Sequence, residues 1–347
     1  MATDTGATLP TDESDAESGG GGESLLTVLV ALVANALIAV AKSVAALITG
    51  SASMVAEAVH SWADAGNEIF LLVAERRGAR PPDDAHPRGY GRDTYIWSLF
   101  AAVGLFAAGG VVSVYHGVVA LGRGVAPTSY LINYVVLAIA FVLEAVSFRQ
   151  AVKQTRGEAA RFGLRPLSFV NRTSNPTLRA VFLEDFVALI GILLAAAGVG
   201  LHQLTGNPVW DALGSIAVGL LLGVAAVFLI TRNRQFLVGQ TVSSEMWQRA
   251  LRTLLGRPEV ARVTYLHLEY VGPSRCFLVA AVDLTGDDAE PRLAVRLRDL
   301  ELDIEDQDFI VDAVLTLATP DEADLLPGDE ASPAVRAARG RTQVKGT

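Results

Sequence analysis

Six long apolar segments constrain the fold of this chain more than any other feature. They cover residues 25–49, 54–74, 95–121, 130–150, 178–204 and 209–231 of the 347-residue sequence. About 20 apolar residues in helical conformation cross the hydrocarbon core of a bilayer. The sequence therefore predicts an α-helical membrane protein with six transmembrane helices, and it excludes a purely soluble enzyme.

Basic residues predict how these helices are oriented. The connection after the second segment carries a cluster from Arg76 to Arg92, and the connection after the fourth carries a cluster from Lys153 to Arg172. The other connections hold only Arg123. Because short loops rich in lysine and arginine stay on the cytoplasmic side, we expect a multi-pass protein of the plasma (inner) membrane with both termini in the cytoplasm.

After Arg234 the pattern is that of a small folded domain. Alternation and turn residues predict helices over 244–255 and 291–302 and strands over 262–270, 275–284 and 309–317. The order αββαβ predicts a small α+β, ferredoxin-like cytoplasmic domain with its helices on one face of the sheet. We expect four parts in the chain: a disordered acidic tail (1–23), a transport domain (24–234), the αββαβ domain (240–319) and a second disordered tail (320–347).

Composition and missing motifs exclude several classes of function. The formal net charge is −9, which argues against a nucleic-acid partner. The single cysteine, Cys276, excludes a disulfide scaffold and a cysteine-based zinc module. Neither an HExxH nor a GxSxG motif occurs, so we do not expect an enzyme.

The second apolar segment carries a stripe of polar residues at helical spacing. Ionisable groups inside a membrane span are costly and mark function by default. His60 and Asp64 are four residues apart, so they can aim at one point. An imidazole nitrogen and a carboxylate oxygen suit a divalent cation, zinc first. The alternative is a hydrogen-bond network between helices, formed by the same stripe: Glu57, His60, Ser61, Asp64, Asn67 and Glu68.

Two further spans carry acidic residues. Glu184 and Asp185 are adjacent in the fifth span, and adjacent helical residues project about 100° apart, so only one of them can point straight at a shared centre. Glu144 lies deep in the fourth span. It belongs either to an ion pathway or to a structural ion pair with Lys42 or Arg149.

Several strings of residues resemble one transporter family. Residues 50–54 (Gly-Ser-Ala-Ser-Met), leading into 57–64 (Glu-Ala-Val-His-Ser-Trp-Ala-Asp), resemble the second-span signature of the cation diffusion facilitator family. The loop 86–92 is similar to the motif that follows that span. Strings at 113–117, 182–185, 205–208 and 211–215 resemble the zinc transporter 9-like branch. The resemblance covers about residues 25–318.

The resemblance implies a homodimer that exports a divalent metal in exchange for protons. Alternating access would work around a tetrahedral site between spans two and five. His60 and Asp64 fall on the second-span ligand positions, and both would couple transport to protons. In the fifth span, where the family has two ligands, Glu184 or Asp185 matches one position in either register and the other is absent. We favour Glu184 as the ligand.

The sequence also suggests accessory metal ligands, a transported ion and two alternative functions. The candidate accessory ligands are Glu57, Glu144, Asp84 and His86. We expect the transported ion to be Zn²⁺, no cofactor to be permanently bound, and the partners to be protons, the lipid bilayer and a second copy of the chain. More oxygen ligands favour harder ions, so selectivity for Mn²⁺, Fe²⁺ or Co²⁺ is one alternative. The other is a non-transporting membrane scaffold with a degenerate metal site.

Overall fold

The computed structural model describes residues 20–104, 109–123, 129–161, 164–307 and 309–329. Within these ranges the membrane domain, residues 20–239, contains α1 (Gly20–Thr49), α2 (Ala52–Gly78), α3 (Gly91–Gly104), α4 (Val112–Arg123), α5 (Tyr130–Arg161), α6 (Pro166–Arg172), α7 (Pro176–Thr205) and α8 (Val209–Val238). The sheet domain, residues 240–329, contains α9 (Ser244–Leu255), β1 (Val260–Gly272), β2 (Arg275–Leu284), α10 (Glu290–Glu305) and β3 (Ile310–Leu317). The predicted fold class, a helical membrane part followed by a small α+β domain, is confirmed.

The described helices differ in how clearly they qualify as membrane spans. Four segments are long and apolar enough to cross a bilayer: Gly91–Gly122, Tyr130–Ala160, Pro176–Thr205 and Val209–Val238. Helix α1 adds a shorter apolar stretch, Asn35–Thr49. At 27 residues, α2 is about 40 Å long, but its polar stripe lowers its hydropathy. Six spans therefore remain a prediction that depends on α1 and α2.

The start of α2 is fixed by a carboxylate from α8. Gly50 ends α1 in the left-handed region, with φ of 68°, which glycine adopts without strain. The Asp211 carboxylate then accepts hydrogen bonds from the Ser51 hydroxyl at 2.8 Å, the Ala52 N–H at 2.6 Å and the Ser53 N–H at 3.3 Å. Backbone N–H groups at a helix start have no partner within the helix. Asp211 supplies one and sets the position of α2 against α8.

A tight turn places α7. Asn175 caps the helix by accepting from the Leu178 N–H at 3.1 Å, and Pro176 occupies the first turn, where its missing N–H costs nothing. The fully buried Arg179 donates to the backbone carbonyls of Val170 and Thr173. These bonds tie α7 to the short helix α6, which the sequence did not predict.

The sheet domain has the predicted αββαβ order. Its strands lie in the order β1-β2-β3, with β1 and β2 antiparallel and β2 and β3 parallel. Buried residues alternate along β1 from Thr264 to Tyr270, as expected for a strand with one covered face. Side chains of α9 and α10, among them Leu251 and Ile304, share one hydrophobic core with Val263, Leu278 and Ile310 of the strands.

The sheet domain docks closely against the start of α3. A Cβ atom at Gly91 would lie 2.7 Å from the Val271 carbonyl oxygen and 2.8 Å from the Gly272 Cα, so the contact needs glycine. Beside it, Arg92 donates to Glu269 at 2.5 Å. Tyr95 and Phe236 stack with ring centroids 5.1 Å apart, and both belong to the core of the sheet domain.

The predicted tails differ from the structure where they can be compared. The C-terminal tail was expected to begin at residue 320, but 320–329 pack on the sheet domain because Leu325 is buried and its N–H donates to the Val263 carbonyl at 2.7 Å. Helix α1 begins at Gly20, within the expected N-terminal tail. Residues 1–19 and 330–347 lie outside the described part of the chain.

Candidate metal centre

One face of α2 brings the candidate second-span ligands together. The His60 Nδ1 atom lies 3.3 Å from the Asp64 Oδ1 atom, and both side chains are buried. Their i, i+4 spacing on a regular helix produces this contact. The face points to the interior of the helical bundle, as expected for ionisable groups at membrane depth.

Helix α7 adds Glu184 to this pair. Asn67 of α2 donates a short hydrogen bond to Glu184 Oε2. The carboxyl groups of Asp64 and Glu184 also lie close enough to interact electrostatically. Two uncompensated negative charges repel strongly in a buried site, which makes a proton or a cation between them favourable. The sequence placed Asn67 in the polar stripe. Its partner Glu184 could not be predicted, because the position of α7 relative to α2 is not encoded in the spacing of residues on α2.

Several buried atoms of this group make no hydrogen bond within the described ranges. They are both ring nitrogens of His60, Oδ1 of Asp64, Oε1 of Glu184 and the Ser61 hydroxyl. Buried polar atoms are nearly always satisfied. Other helices also contain such atoms, among them both amide atoms of Asn133, so what distinguishes this group is a free imidazole beside buried carboxylates. In the described part of the chain no group of three His, Cys, Asp or Glu side chains is arranged to hold a metal as it stands.

Asp185 projects from a different side of α7, toward α5, which carries Glu144. Asp185 accepts a hydrogen bond from the Ser147 hydroxyl of α5 at 2.9 Å. Glu144, one turn before Ser147, is half-buried in α5. The structure thus separates the two fifth-span acids: Glu184 meets α2, and Asp185 meets α5.

Glu57 forms a buried ion pair with Lys42. The Lys42 Nζ atom of α1 lies 2.9 Å from Glu57 Oε2, and neither side chain is exposed. The sequence offered Lys42 as a partner for Glu144. In the structure Glu144 acts on Lys42 only as a nearby charge, since Glu57 holds the direct contact.

The loop between α2 and α3 forms a turn around Asp83. Its carboxylate accepts from the His86 N–H at 2.7 Å and from the Tyr90 hydroxyl at 2.6 Å. The Tyr90 hydrogen bond, followed by the His86 N–H, lowers the pKa of Asp83. His86 faces Asp83, with 3.4 Å between Nδ1 and Oδ1, and all three residues, Asp83, Asp84 and His86, are exposed. The candidate accessory residues Asp84 and His86 therefore lie in this loop, remote from the α2–α7 group.

Comparison with known proteins identifies the family. The model of the cation efflux transmembrane domain matches residues 28–238. The chain belongs to the cation efflux, or cation diffusion facilitator, family. The resemblance inferred from the sequence motifs is thus confirmed.

Among the relatives of this cation efflux protein are transporters named for zinc. It is 36% identical over 259 residues to the proton-coupled zinc antiporter SLC30A9, mitochondrial, of Xenopus laevis, which covers 75% of this chain and 46% of the relative. The human protein of the same name is 34% identical over 295 residues, covering 85% and 50%. Metal tolerance protein C4 of Arabidopsis thaliana is 34% identical, covering 67% and 51%. The chain spans about half the length of these relatives and falls in the SLC30A9-like branch.

The relatives correct one prediction. We expected the plasma (inner) membrane, but the similar SLC30A9 proteins carry a mitochondrial location in their names, so that prediction is wrong. Segment length and arginine distribution predict insertion and sidedness. They carry no information on which membrane of a cell receives the protein. The multi-pass membrane character itself is supported by the family.

Proposed function

We propose that this protein is a proton-coupled zinc antiporter that moves zinc away from the side of the membrane that holds the sheet domain. Family membership and the names of its relatives support metal transport. The observation that carries the proposal is the group of His60, Asp64 and Glu184, with unsatisfied nitrogen and oxygen atoms buried at membrane depth. The names of the relatives point to a mitochondrial membrane as the setting.

The chemistry of the group explains why protons would be the counter-ion. Zinc binds neutral imidazole and ionised carboxylates, so metal binding releases protons and protonation expels the metal. Asp64 and Glu184 lie close enough to share one proton when no metal is present. A positive ion, either this proton or zinc, would then offset the negative charge of the two carboxylates in each of the two states. Alternating access would then expose the group to one side at a time.

Glu184 is the fifth-span ligand in this proposal, and Asn67 is the group that holds it between transport events. Three protein ligands, His60, Asp64 and Glu184, would leave a fourth zinc position for water. The single imidazole against two carboxylates keeps Mn²⁺, Fe²⁺ and Co²⁺ as competing cargo. We also propose that residues 24–234 form the transport unit and that the αββαβ domain, 240–319, pairs two copies.

Transport in proteoliposomes tests the proposal. With an inward proton gradient, the wild-type protein should move zinc faster than Mn²⁺, Fe²⁺ or Co²⁺, and either His60→Ala or Asp64→Ala should abolish transport. His202→Ala is the matched control, since His202 is equally buried but lies 18 positions after Glu184 on α7, about 27 Å away. Full transport by both site variants refutes the site.

A non-transporting scaffold is the competing function. It is favoured by the lack, in the described residues, of three metal ligands already assembled. A scaffold would show no proton-dependent flux of any of the four metals, although it would insert and fold normally.

A further inference from the structure

We propose that Lys42 is a specificity-determining residue, which balances the charge of the metal centre and keeps the Glu57 carboxylate from joining the transported ion. The inference rests on the proposed function, because it concerns how the centre selects a divalent ion. It removes Glu57 from the candidate accessory ligands.

The position of Glu57 makes it a competing ligand. It precedes His60 by three residues and Asp64 by seven, so all three lie on one face of α2. One oxygen, Oε2, is held by Lys42 at 2.9 Å. The other, Oε1, makes no hydrogen bond within the described ranges. A carboxylate in this position, if released, would be an additional oxygen donor beside the pair.

Helix α7 encloses Glu57 from the opposite side. A Cβ atom at Gly191 would lie 2.8 Å from Glu57 Oε1, so α7 touches the carboxylate directly. Gly191 follows Glu184 by seven residues, about two turns along the same face. Glu57 therefore lies between Lys42 and the face of α7 that carries Glu184.

The charges of the buried group balance only when Lys42 is present. Neutral His60 with ionised Asp64 and Glu184 has the charge that one Zn²⁺ cancels. The carboxylate of Glu57 would add a further negative charge, and Lys42 cancels it. Lys42 also acts electrostatically on His60 and Asp64, so losing either partner would change the field at the centre.

None of the neighbouring acids Glu68, Asp185 and Glu144 takes the place of Glu57 as the direct partner of Lys42. Glu68 accepts from the Asn35 amide at 2.6 Å, and Asp185 accepts from the Ser147 hydroxyl, so both have neutral donors. Glu144 reaches Lys42 from α5 only as a nearby charge.

Attachment of α1 to α2 does not account for the ion pair. Asn35 with Glu68 and Ser43 with Trp62, at 3.0 Å, already join the two helices through donors that carry no charge. A buried ion pair contributes little net stability compared with apolar side chains of similar size, because both charges lose their hydration. Its presence beside a metal centre therefore points to control of charge.

Metal titration of the full-length protein in detergent tests the inference. Isothermal titration with Zn²⁺ and Mn²⁺ compares Glu57→Gln, Lys42→Met and the double variant. Glu57→Gln leaves the Lys42 charge uncancelled, so the Kd for zinc should rise at least tenfold. Lys42→Met releases the Glu57 carboxylate, so zinc binding should not weaken, and the ratio of the Mn²⁺ Kd to the Zn²⁺ Kd should fall at least threefold, since added oxygen ligands favour the harder ion.

The double variant and two controls decide the interpretation. Removing both charges should return the zinc Kd to within threefold of wild type. If a single variant fails to fold, the double variant alone tests the inference. Ser43→Ala, which loses a helix–helix hydrogen bond but no charge, should bind zinc normally. A tenfold loss in the double variant or in Lys42→Met overturns the inference, as do wild-type constants in all three. Failure of the centre itself is recognised separately, by His60→Ala binding zinc as well as wild type.

Discussion

The adjacent acids Glu184 and Asp185 allow a controlled test of which fifth-span residue binds the metal. Both residues are 9% exposed, so burial does not bias the comparison. Each accepts one hydrogen bond, Glu184 from Asn67 and Asp185 from Ser147. Replacing each acid by its amide keeps one oxygen that can accept that bond. It removes the negative charge and exchanges the second oxygen for an NH2 donor, and this change is the same in both variants.

The expected losses follow from what each carboxylate faces. Glu184 faces Asn67 and Asp64 of α2, so Glu184→Gln removes an anionic ligand from the proposed site. Zinc affinity should fall at least tenfold, which corresponds to about 1.4 kcal/mol. Asp185 faces α5, so Asp185→Asn should weaken zinc binding less than threefold, or by less than about 0.7 kcal/mol.

Isothermal titration with zinc, on folded protein in detergent at one pH, measures both losses. The elution volume and thermal unfolding of each variant serve as controls, because a misfolded variant would lose binding for another reason. A larger affinity loss in Asp185→Asn than in Glu184→Gln would refute the assignment of Glu184 as the ligand.

Two further predictions concern positions outside the metal centre. Asp211→Ala leaves the Ser51 hydroxyl and the Ala52 and Ser53 N–H groups without their acceptor. It should lower the free energy of unfolding by about 3 kcal/mol in a thermal or denaturant titration, whereas Asp299→Ala at an exposed position should have no effect. Cys276 is fully buried, and burial raises its pKa to about 12. Only about one thiol in ten thousand is ionised at pH 8, so iodoacetamide should modify it in denatured protein only, and rapid labelling of the native protein would contradict its burial.

The sheet domain was predictable because its signals are local. Residues 244–255 and 275–284 match α9 and β2, since amphipathic periodicity and flanking turn residues determine such elements. The remaining boundaries moved by a few residues, as helices and strands extend until a turn ends them. Leu325 escaped prediction because a single apolar residue in a polar segment has no period.

The contacts of the polar stripe were less predictable because they join distant parts of the chain. The spacing of His60 and Asp64 indicated their contact, since both lie on one helix. It could not indicate that Lys42 lies opposite Glu57 rather than Glu144, because the rotation of α1 about its axis is set by packing. The choice between Glu184 and Asp185 had the same cause: residues 100° apart face different neighbours, and those neighbours come from α2 and α5.

Helix α2 carries the candidate ligands His60 and Asp64, and it is the least apolar of the expected spans because of the same polar stripe. Each buried polar group on α2 needs a partner, because bilayer and protein interior supply no water. Lys42, Asn35 and Glu184 provide partners for much of the stripe, and they come from α1 and α7. His60 differs from these partnered residues, because both of its ring nitrogens are buried without a hydrogen bond within the described ranges. An imidazole with both nitrogens free of hydrogen bonds, 3.3 Å from a buried carboxylate, is the feature that favours a centre built to receive an ion.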